Sequence, residues 1–225
     1  MASNIFLMSS ILKNSWYLNK PIHKLAIKAS KGVSKTPLMR IVDDLETFGK
    51  HKGEIAKKDL KNMKTLSFYE DGRRVSYILG KGKKDKEMKP LDVASSVVKT
   101  AKGFKDSKVA VEFSKDFLEN QENVGKFVYG CELSNYGFHI KGDKGSKPSK
   151  RPHEIEDIEI EGHNMEEFFD SENFKFYKNL GENKNYARKL ANARINFFDI
   201  PMFLEEARNL KKAHGEKIEL EILED

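Results

Sequence analysis

The chain has 225 residues, of which 38% are apolar and 34% are charged. This length and composition predict a sizeable folded domain and exclude a wholly disordered chain. Its single cysteine excludes a disulfide framework and a CxxC-type zinc site, and no apolar run is long enough to predict a transmembrane helix. The net charge of +6 is local, because seven of the 41 basic residues and none of the 35 acidic residues lie in positions 1–42. The rest of the chain is close to neutral, which argues against a nucleic-acid-binding surface.

The N-terminus combines apolar residues, interspersed serines and basic residues, and the first acidic residue of the chain is Asp43. This composition is typical of a mitochondrial transit peptide, which we assign to residues 1–19. The alternative is an ordinary or disordered N-terminus whose composition arose by chance. We therefore expect a mitochondrial protein, with the cytoplasm as the alternative location.

Short apolar runs predict the first strands, at residues 22–29 and 38–42. Residues 65–69 and 74–79 flank the dipeptide Asp71-Gly72. Asp-Gly between two apolar runs predicts a β-hairpin, because both residues readily adopt the positive φ that a tight hairpin turn requires.

A helix is predicted to begin at Pro90 and to end at Gly103. Its apolar residues repeat at helical spacing, which predicts an inward face formed by Leu91, Ala94, Val98 and Ala101. A strand follows at residues 108–113. A second helix is predicted over residues 124–133, with its inward face formed by Phe127, Val128 and Cys131.

The second half of the chain begins with a loop at residues 141–152. Ile155, Ile158 and Ile160 then predict a strand at an edge of the sheet. Two helices are predicted at 183–194 and 201–214. The second is predicted to end at Gly215, with an inward face formed by Phe203, Ala207 and Leu210. Residues 217–222 alternate between charged and apolar side chains, which predicts a final strand over residues 217–223. Helices that alternate with strands predict an α/β fold with a mixed sheet sandwiched by helices.

One segment carries a family resemblance. Residues 185–192 read NYARKLAN and are followed by Asn196, Pro201 and Glu205-Glu206-Ala207. This pattern resembles the linker-helix signature of the leucine aminopeptidase (cytosol aminopeptidase) family. Two departures are a spacing from Asn192 to Pro201 that is about one residue longer than in the family, and Ile200 where the family prefers a Thr or Asp helix cap. We therefore expect this helix either to be capped by Asp199 or to be poorly capped.

Upstream segments resemble the N-terminal domain of the same family, at residues 75–85, 91–101 and 109–113, and at 125–138 with its Gly130, Tyr136 and Phe138. The resemblance implies a macro-domain-like N-terminal domain at residues 20–180. It also implies that residues 181–225 form linker helices and a first strand leading toward a catalytic domain that this sequence does not contain.

The resemblance also implies that the chemistry lies elsewhere. The family hydrolyses an N-terminal peptide bond with two divalent metal ions, Zn or Mn, whose ligands lie in the C-terminal domain. No such motif occurs in this sequence, so we assign no catalytic, metal-binding or cofactor-binding residue. We expect this chain to be inactive alone and to act in assembly and active-site access, with protein partners. The family forms hexamers, so a homo-oligomer is one expectation.

Several other features of the sequence are candidate sites. Residues 80–84 (GKGKK) are either an anion-binding loop or a solvated basic loop. The basic loop at 141–151 has no interleaved aromatic residue, which favours a plain exposed loop over a nucleic-acid contact. Cys131 is predicted to be a buried, inert thiol. No metal-ligand spacing occurs among the six histidines, which are His23, His51, His139, His153, His163 and His214.

The acidic stretch at residues 154–161 alternates with isoleucine, which predicts a solvated strand face rather than a metal site. Two alternatives to the main interpretation remain. The chain is either a structural subunit of a larger mitochondrial assembly, derived from an aminopeptidase that lost its catalytic half, or a nucleotide- or nucleic-acid-binding module.

Overall fold

A computed structural model describes residues 25–30, 35–42, 65–79, 89–137, 153–162, 165–192 and 199–223. His23–Tyr186 forms one compact unit, and the described residues after Tyr186 belong to a second unit. The predictions for the N-terminal segment, for the loops at 80–84 and 141–151, and for His23, His51, His139 and His163 lie outside the described residues.

The first unit contains a six-stranded sheet in the order β1-β6-β5-β2-β4-β3. All neighbouring strands are parallel except β3 and β4, which are antiparallel. The predicted α/β fold with a mixed sheet is therefore confirmed. The strands are β1 (Ala26–Ala29), β2 (Leu38–Val42), β3 (Leu66–Glu70), β4 (Arg73–Leu79), β5 (Lys108–Glu112) and β6 (Asp157–Glu161).

The predicted hairpin joins β3 to β4. Asp71 and Gly72 occupy the turn with φ of 50° and 77°. Positive φ at both central residues is the geometry of a type I′ turn, whose twist matches that of the flanking strands. The Asp-Gly pair thus fixes the register of the antiparallel edge of the sheet.

The helices of the chain are α1 (Pro90–Phe104), α2 (Lys115–Glu119), α3 (Gln121–Asn135), α4 (Met165–Asp170), α5 (Glu172–Asn192) and α6 (Ile200–His214). Helix α1 begins at Pro90 as predicted, but it ends one residue beyond Gly103. The helix terminates at Lys105, which adopts a left-handed conformation with φ of 60°. Helix α5 begins at Glu172, well before the predicted start at residue 183.

The large core lies on one face of the sheet, where α1 and α3 pack against each other and their buried residues form one cluster with those of β5 and β6. The predicted inward residues of α3, Phe127, Val128 and Cys131, are fully buried. The prediction for Leu91 is wrong, because its side chain is 41% exposed at the first turn of α1. A smaller buried cluster occupies the opposite face of the sheet and contains Leu38, Val42, Val75, Tyr77 and Ala110.

Strand β6 lies inside the sheet between β1 and β5, rather than at an edge. Its Ile158 and Ile160 are fully buried on the large-core face. No helix among the described residues is long and apolar enough to span a bilayer.

The second unit contains α6, whose N-terminus is capped by Asp199. The Asp199 carboxylate accepts a hydrogen bond from the Met202 amide at 3.1 Å, which is the first of the two alternatives that the sequence left open. The predicted inward face is wrong, because Phe203 and Leu210 are 57% and 47% exposed and the buried residue is Met202. An apolar period identifies a common face but does not show whether that face is covered.

The predicted strand at 217–223 is absent from the described residues. A 3-10 turn at Gly215–Lys217 follows α6, and the chain continues without a ladder partner among the residues described. Ile218 nevertheless has the extended backbone of a strand, with φ of −128° and ψ of 124°. Alternation selects an extended conformation, but a strand also needs a neighbour for its hydrogen bonds.

Candidate functional site

A network of charged side chains crosses the face of the sheet that carries the smaller cluster. We call it the sheet-face network and define it as Lys28, Arg40, Glu70, Arg73, Tyr77, Glu112, Asp157, Glu159 and Glu161. The register explains its centre, because Arg40 of β2 lies directly opposite Tyr77 of β4 and Glu112 of β5. Directly opposed residues on neighbouring strands project from the same face.

Arg40 is the hub of one half of this network. Its Nε donates to Glu112 at 2.9 Å and its Nη1 donates to the Tyr77 hydroxyl at 3.1 Å. The Tyr77 hydroxyl in turn donates to the Glu70 carboxylate. Burial and the Glu70 carboxylate raise the pKa of Tyr77 to about 12. The Tyr77 phenol therefore stays neutral near pH 7 and serves as a hydrogen-bonding link between strands.

The other half of the network involves β1 and β6. Lys28 Nζ lies 2.7 Å from Asp157 Oδ2 and 3.3 Å from Glu159 Oε1. Arg73 donates to the Glu161 carboxylate at 2.8 Å and to the main-chain oxygen of Thr36. The prediction that the acidic face of β6 is solvated is therefore wrong. Asp157 is only 7% exposed, and three acids of this strand are paired with basic side chains.

A second polar cluster links α3 and α5. Lys178 of α5 donates to the Glu132 carboxylate and, at 2.6 Å, to the main-chain oxygen of Leu25 before β1. Asn185 of α5 donates to the main-chain oxygen of Glu132 at 2.8 Å. Burial raises the pKa of Glu132. This buried cluster, which we call the α3–α5 latch, fixes the helix that continues into the second unit.

The cysteine and the two described histidines show no catalytic arrangement. Cys131 is fully buried, and burial raises its pKa well above the ordinary value, which suits an inert thiol. His153 Nε2 lies 2.8 Å from the main-chain oxygen of Asp106, where it ties the segment before β6 to the α1–β5 turn. His214 is exposed at the end of α6.

The described carboxylates are not arranged as a two-metal centre. Within the described ranges no group of three or more His, Cys, Asp or Glu side chains is arranged to hold a metal ion. The carboxylates of the sheet-face network are held by Lys28, Arg40 and Arg73 rather than converging on an open position. This arrangement joins strands of the sheet to one another through charge-assisted hydrogen bonds.

Sequence reasoning missed the hubs of both clusters. Arg40 interrupts the apolar run LMRIV, and a lone guanidinium inside a buried strand is a signal of a partnered charge. Glu132 follows Cys131 within an otherwise apolar helix face, which is the same signal. Their partners are far away in sequence, so only the folded topology could identify them.

Comparisons with known proteins give a relationship at the level of structure. No family model matches the sequence, and no curated protein matches it. A mutant of tomato leucine aminopeptidase aligns with 88% of this chain and 44% of its own chain, at 15% identity and a TM-score of 0.63. An M17 aminopeptidase from Trypanosoma brucei aligns with 92% of this chain and 44% of its own, at 12% identity and a TM-score of 0.58.

A cytosol aminopeptidase from Coxiella burnetii aligns similarly, over 83% of this chain and 37% of its own, at 14% identity and a TM-score of 0.52. The chain therefore has the fold of the aligned part of these aminopeptidases, and the relationship that the sequence predicted is confirmed at the level of fold. It spans less than half the length of these aminopeptidases.

Proposed function

We propose that this chain is the non-catalytic N-terminal domain of a leucine aminopeptidase-like metallopeptidase, with a role in assembly and active-site access. The observation that carries the proposal is the extent of the structural match, which covers 88% of this chain but only 44% of the tomato aminopeptidase chain. A domain that supplies part of an enzyme without its chemistry would show this asymmetry.

The chemistry of the described residues supports the same function. Carboxylates that are paired with lysine and arginine are poor metal ligands, because a metal ion would have to displace those partners. The sheet-face network and the α3–α5 latch both use their carboxylates in this way. In the family that the sequence resembles, the Zn or Mn ligands belong to the C-terminal domain.

An assembly role is supported by the second unit. Ile200, Phe203 and Leu210 lie on one face of α6 and are all exposed. Exposed apolar side chains that share one face are typical of interaction surfaces. Protein partners, including a homo-oligomer such as a hexamer, follow from this proposal.

The test is a hydrolysis assay with the full chain. The purified protein is incubated with leucyl-p-nitroanilide and Mn²⁺ or Zn²⁺, with tomato leucine aminopeptidase as the positive control. We expect no release of nitroaniline above the rate with metal ion alone. Release at a rate proportional to the concentration of this chain would contradict the proposal.

A second candidate function is that of a structural subunit in a larger mitochondrial assembly. The specific observation behind it is the acid-free N-terminus, with seven basic and no acidic residues in positions 1–42. The native protein should then sediment with a large complex, and its intact mass should be that of the sequence or smaller by a cleaved N-terminal segment. A native mass far above that of this sequence would instead support a longer aminopeptidase.

A further inference from the structure

Lys178 connects three separate parts of the first unit. Its ammonium group donates to the main-chain oxygen of Leu25 at 2.6 Å and to the Glu132 carboxylate of α3. It also lies 3.4 Å from the Glu182 carboxylate, one turn further along α5. The side chains of Lys178 and Glu132 are 17% and 6% exposed, so their contact is largely shielded from water. One side chain therefore ties α5 both to α3 and to the residue that immediately precedes β1.

Helix α5 is held to the first unit largely by polar contacts. Its two buried residues are Gly181 and Asn185, and the rest of the helix is half-buried or exposed. Gly181 allows a close approach to α3, because a methyl group there would lie 2.6 Å from Glu132 Cβ. Neither buried residue contributes a large apolar side chain, so the docking of α5 depends on the α3–α5 latch. A helix docked in this way opens at a lower free energy than the apolar core does.

Strand β1 is a second element of low local stability. It has four residues and lies at one end of the described sheet, where it pairs in parallel with β6. The amides of Ala26 and Ser30 donate to the main-chain oxygens of Glu156 and Ile160, each at 2.9 Å. A short strand at the end of a sheet opens more readily than a central one. Leu25 is thus held on one side by the β1–β6 ladder and on the other by α5.

We propose that Lys178 couples the docking of α5 to the pairing of β1, so that the two elements open and close as one unit while the rest of the sheet stays closed. When α5 undocks, the carbonyl of the buried Leu25 loses its Lys178 donor, which favours opening of β1. When β1 opens, Lys178 loses the same acceptor, so the coupling is reciprocal. Helix α5 continues past Tyr186 into the second unit, so the state of β1 affects the helix that enters that unit. The inference does not depend on the proposed function.

The test is residue-resolved amide hydrogen exchange of the full chain. Asn185→Ala removes a hydrogen bond between α5 and α3 about two turns beyond Lys178, so it weakens the docking of α5 without changing Lys178. We expect exchange at Ala26 and Ser30 to become faster on the order of tenfold, while exchange in the central strand β5 stays the same. Asn183→Ala is the matched control, since Asn183 is exposed on the same helix, and it should leave exchange in β1 unchanged. Unchanged exchange in β1 of Asn185→Ala would overturn the coupling.

A second background identifies the route of the coupling. Lys178→Met together with Glu132→Gln removes both charges of the buried ion pair, which is less disruptive than removing one of them. Asn185→Ala in this background should change exchange at Ala26 and Ser30 by less than about twofold. Helix α4 also packs against β1 and leads into α5. A tenfold effect that persists in this background would therefore assign the coupling to α4 and overturn the role of Lys178.

The reverse direction needs no change to the latch and therefore does not depend on how the latch variants fold. Lys28 joins β1 to Asp157 and Glu159 of β6, so Lys28→Ala should weaken the pairing of β1. Exchange of the α5 amides at 175–185 should then become faster by the same factor as exchange in β1. Lys108→Ala is the control, because Lys108 is exposed at the start of β5, and it should change neither element. Faster exchange in β1 of Lys28→Ala with α5 unchanged would show that the two elements open independently, which would overturn the proposal.

Discussion

The side-chain amide of Asn185 donates a hydrogen bond to the main-chain oxygen of Glu132 at 2.8 Å, and the Asn185 side chain is almost completely buried. Asn185 is the first residue of the segment that carries the family resemblance. Its role in this structure is to bind α5 to α3. The most recognisable motif in the sequence is thus part of a structural junction, which explains how it can be specific without being catalytic.

Replacing Asn185 with alanine tests that role. Asn185→Ala leaves a buried carbonyl oxygen without this donor, so we expect it to lower the free energy of unfolding by about 1–3 kcal/mol. Urea unfolding followed by circular dichroism measures the change. Asn183→Ala is the control, because Asn183 lies on the exposed side of the same helix. Equal effects of the two substitutions would contradict the structural role.

Glu132 predicts a pH dependence of stability. Burial raises its pKa in the folded state, so the folded protein holds this proton more tightly than the unfolded chain does. The stability that Glu132 contributes is therefore fully present below the unfolded pKa of about 4.3 and decreases as the pH rises through the folded pKa. The free energy of unfolding of wild type relative to Glu132→Gln should fall between pH 4 and pH 7.

Urea unfolding at both pH values, with wild type and Glu132→Gln side by side, measures this difference. Glu172→Gln controls for the loss of one acidic side chain, since Glu172 is exposed. A difference that stays constant with pH, or that grows in favour of wild type at pH 7, would show that Lys178 offsets the burial of Glu132 completely.

Much of the sheet could be predicted from local pattern. The hairpin followed from Asp71-Gly72, and strand β2 followed from its apolar run. These features depend on residues that are adjacent in sequence. The Arg40–Glu112 pair joins residues 72 positions apart, and the Lys178–Glu132 pair joins residues 46 positions apart. Such contacts depend on strand order and helix placement, which no short pattern encodes.

The errors at α6 and at residues 217–223 have a common physical cause. Periodicity shows which side chains share a face, but burial and strand pairing depend on a partner that must lie opposite that face. Phe203 and Leu210 share a face as predicted and are nevertheless exposed. Both errors therefore concern the partner that covers or pairs a segment, not the local period of the sequence.

Gly130 allows a close contact between α1 and α3, because it has no side chain. A methyl group at this position would lie 2.7 Å from Ala94 Cβ and 3.2 Å from Leu91 Cα. Gly130→Ala should therefore force the helices apart and lower the free energy of unfolding by about 1–3 kcal/mol, despite the better helix propensity of alanine. Thermal unfolding monitored by circular dichroism is the measurement.

Gly103 supplies the matched control for that substitution. It also lies within a helix, but a methyl group there would have no neighbour within 4 Å. Gly103→Ala should therefore raise the free energy of unfolding by roughly 0.5–1 kcal/mol through helix propensity alone. Opposite signs for the two substitutions would support the helix packing, and destabilisation of similar size in both would contradict it.

Tyr77 tests the sheet-face network. Its hydroxyl donates to Glu70 and accepts from Arg40, so Tyr77→Phe removes two hydrogen bonds that involve charged groups. We expect a loss of about 1.5–3 kcal/mol in the free energy of unfolding at pH 7. Tyr69→Phe is the control, because Tyr69 is largely exposed on the neighbouring strand, and it should change stability by less than about 0.5 kcal/mol.

The same side chain predicts the behaviour at alkaline pH. With its pKa raised to about 12, the folded state keeps the Tyr77 phenol protonated where the unfolded chain loses the proton near pH 10. The contribution of Tyr77 to stability is therefore complete below pH 10 and is lost as the pH approaches 12. Ultraviolet titration at 295 nm should show one tyrosine of the folded wild type ionising late, and this late step should be missing from Tyr77→Phe but present in Tyr69→Phe. If the late step persists in Tyr77→Phe, it belongs to another tyrosine. That result would contradict the raised pKa of Tyr77.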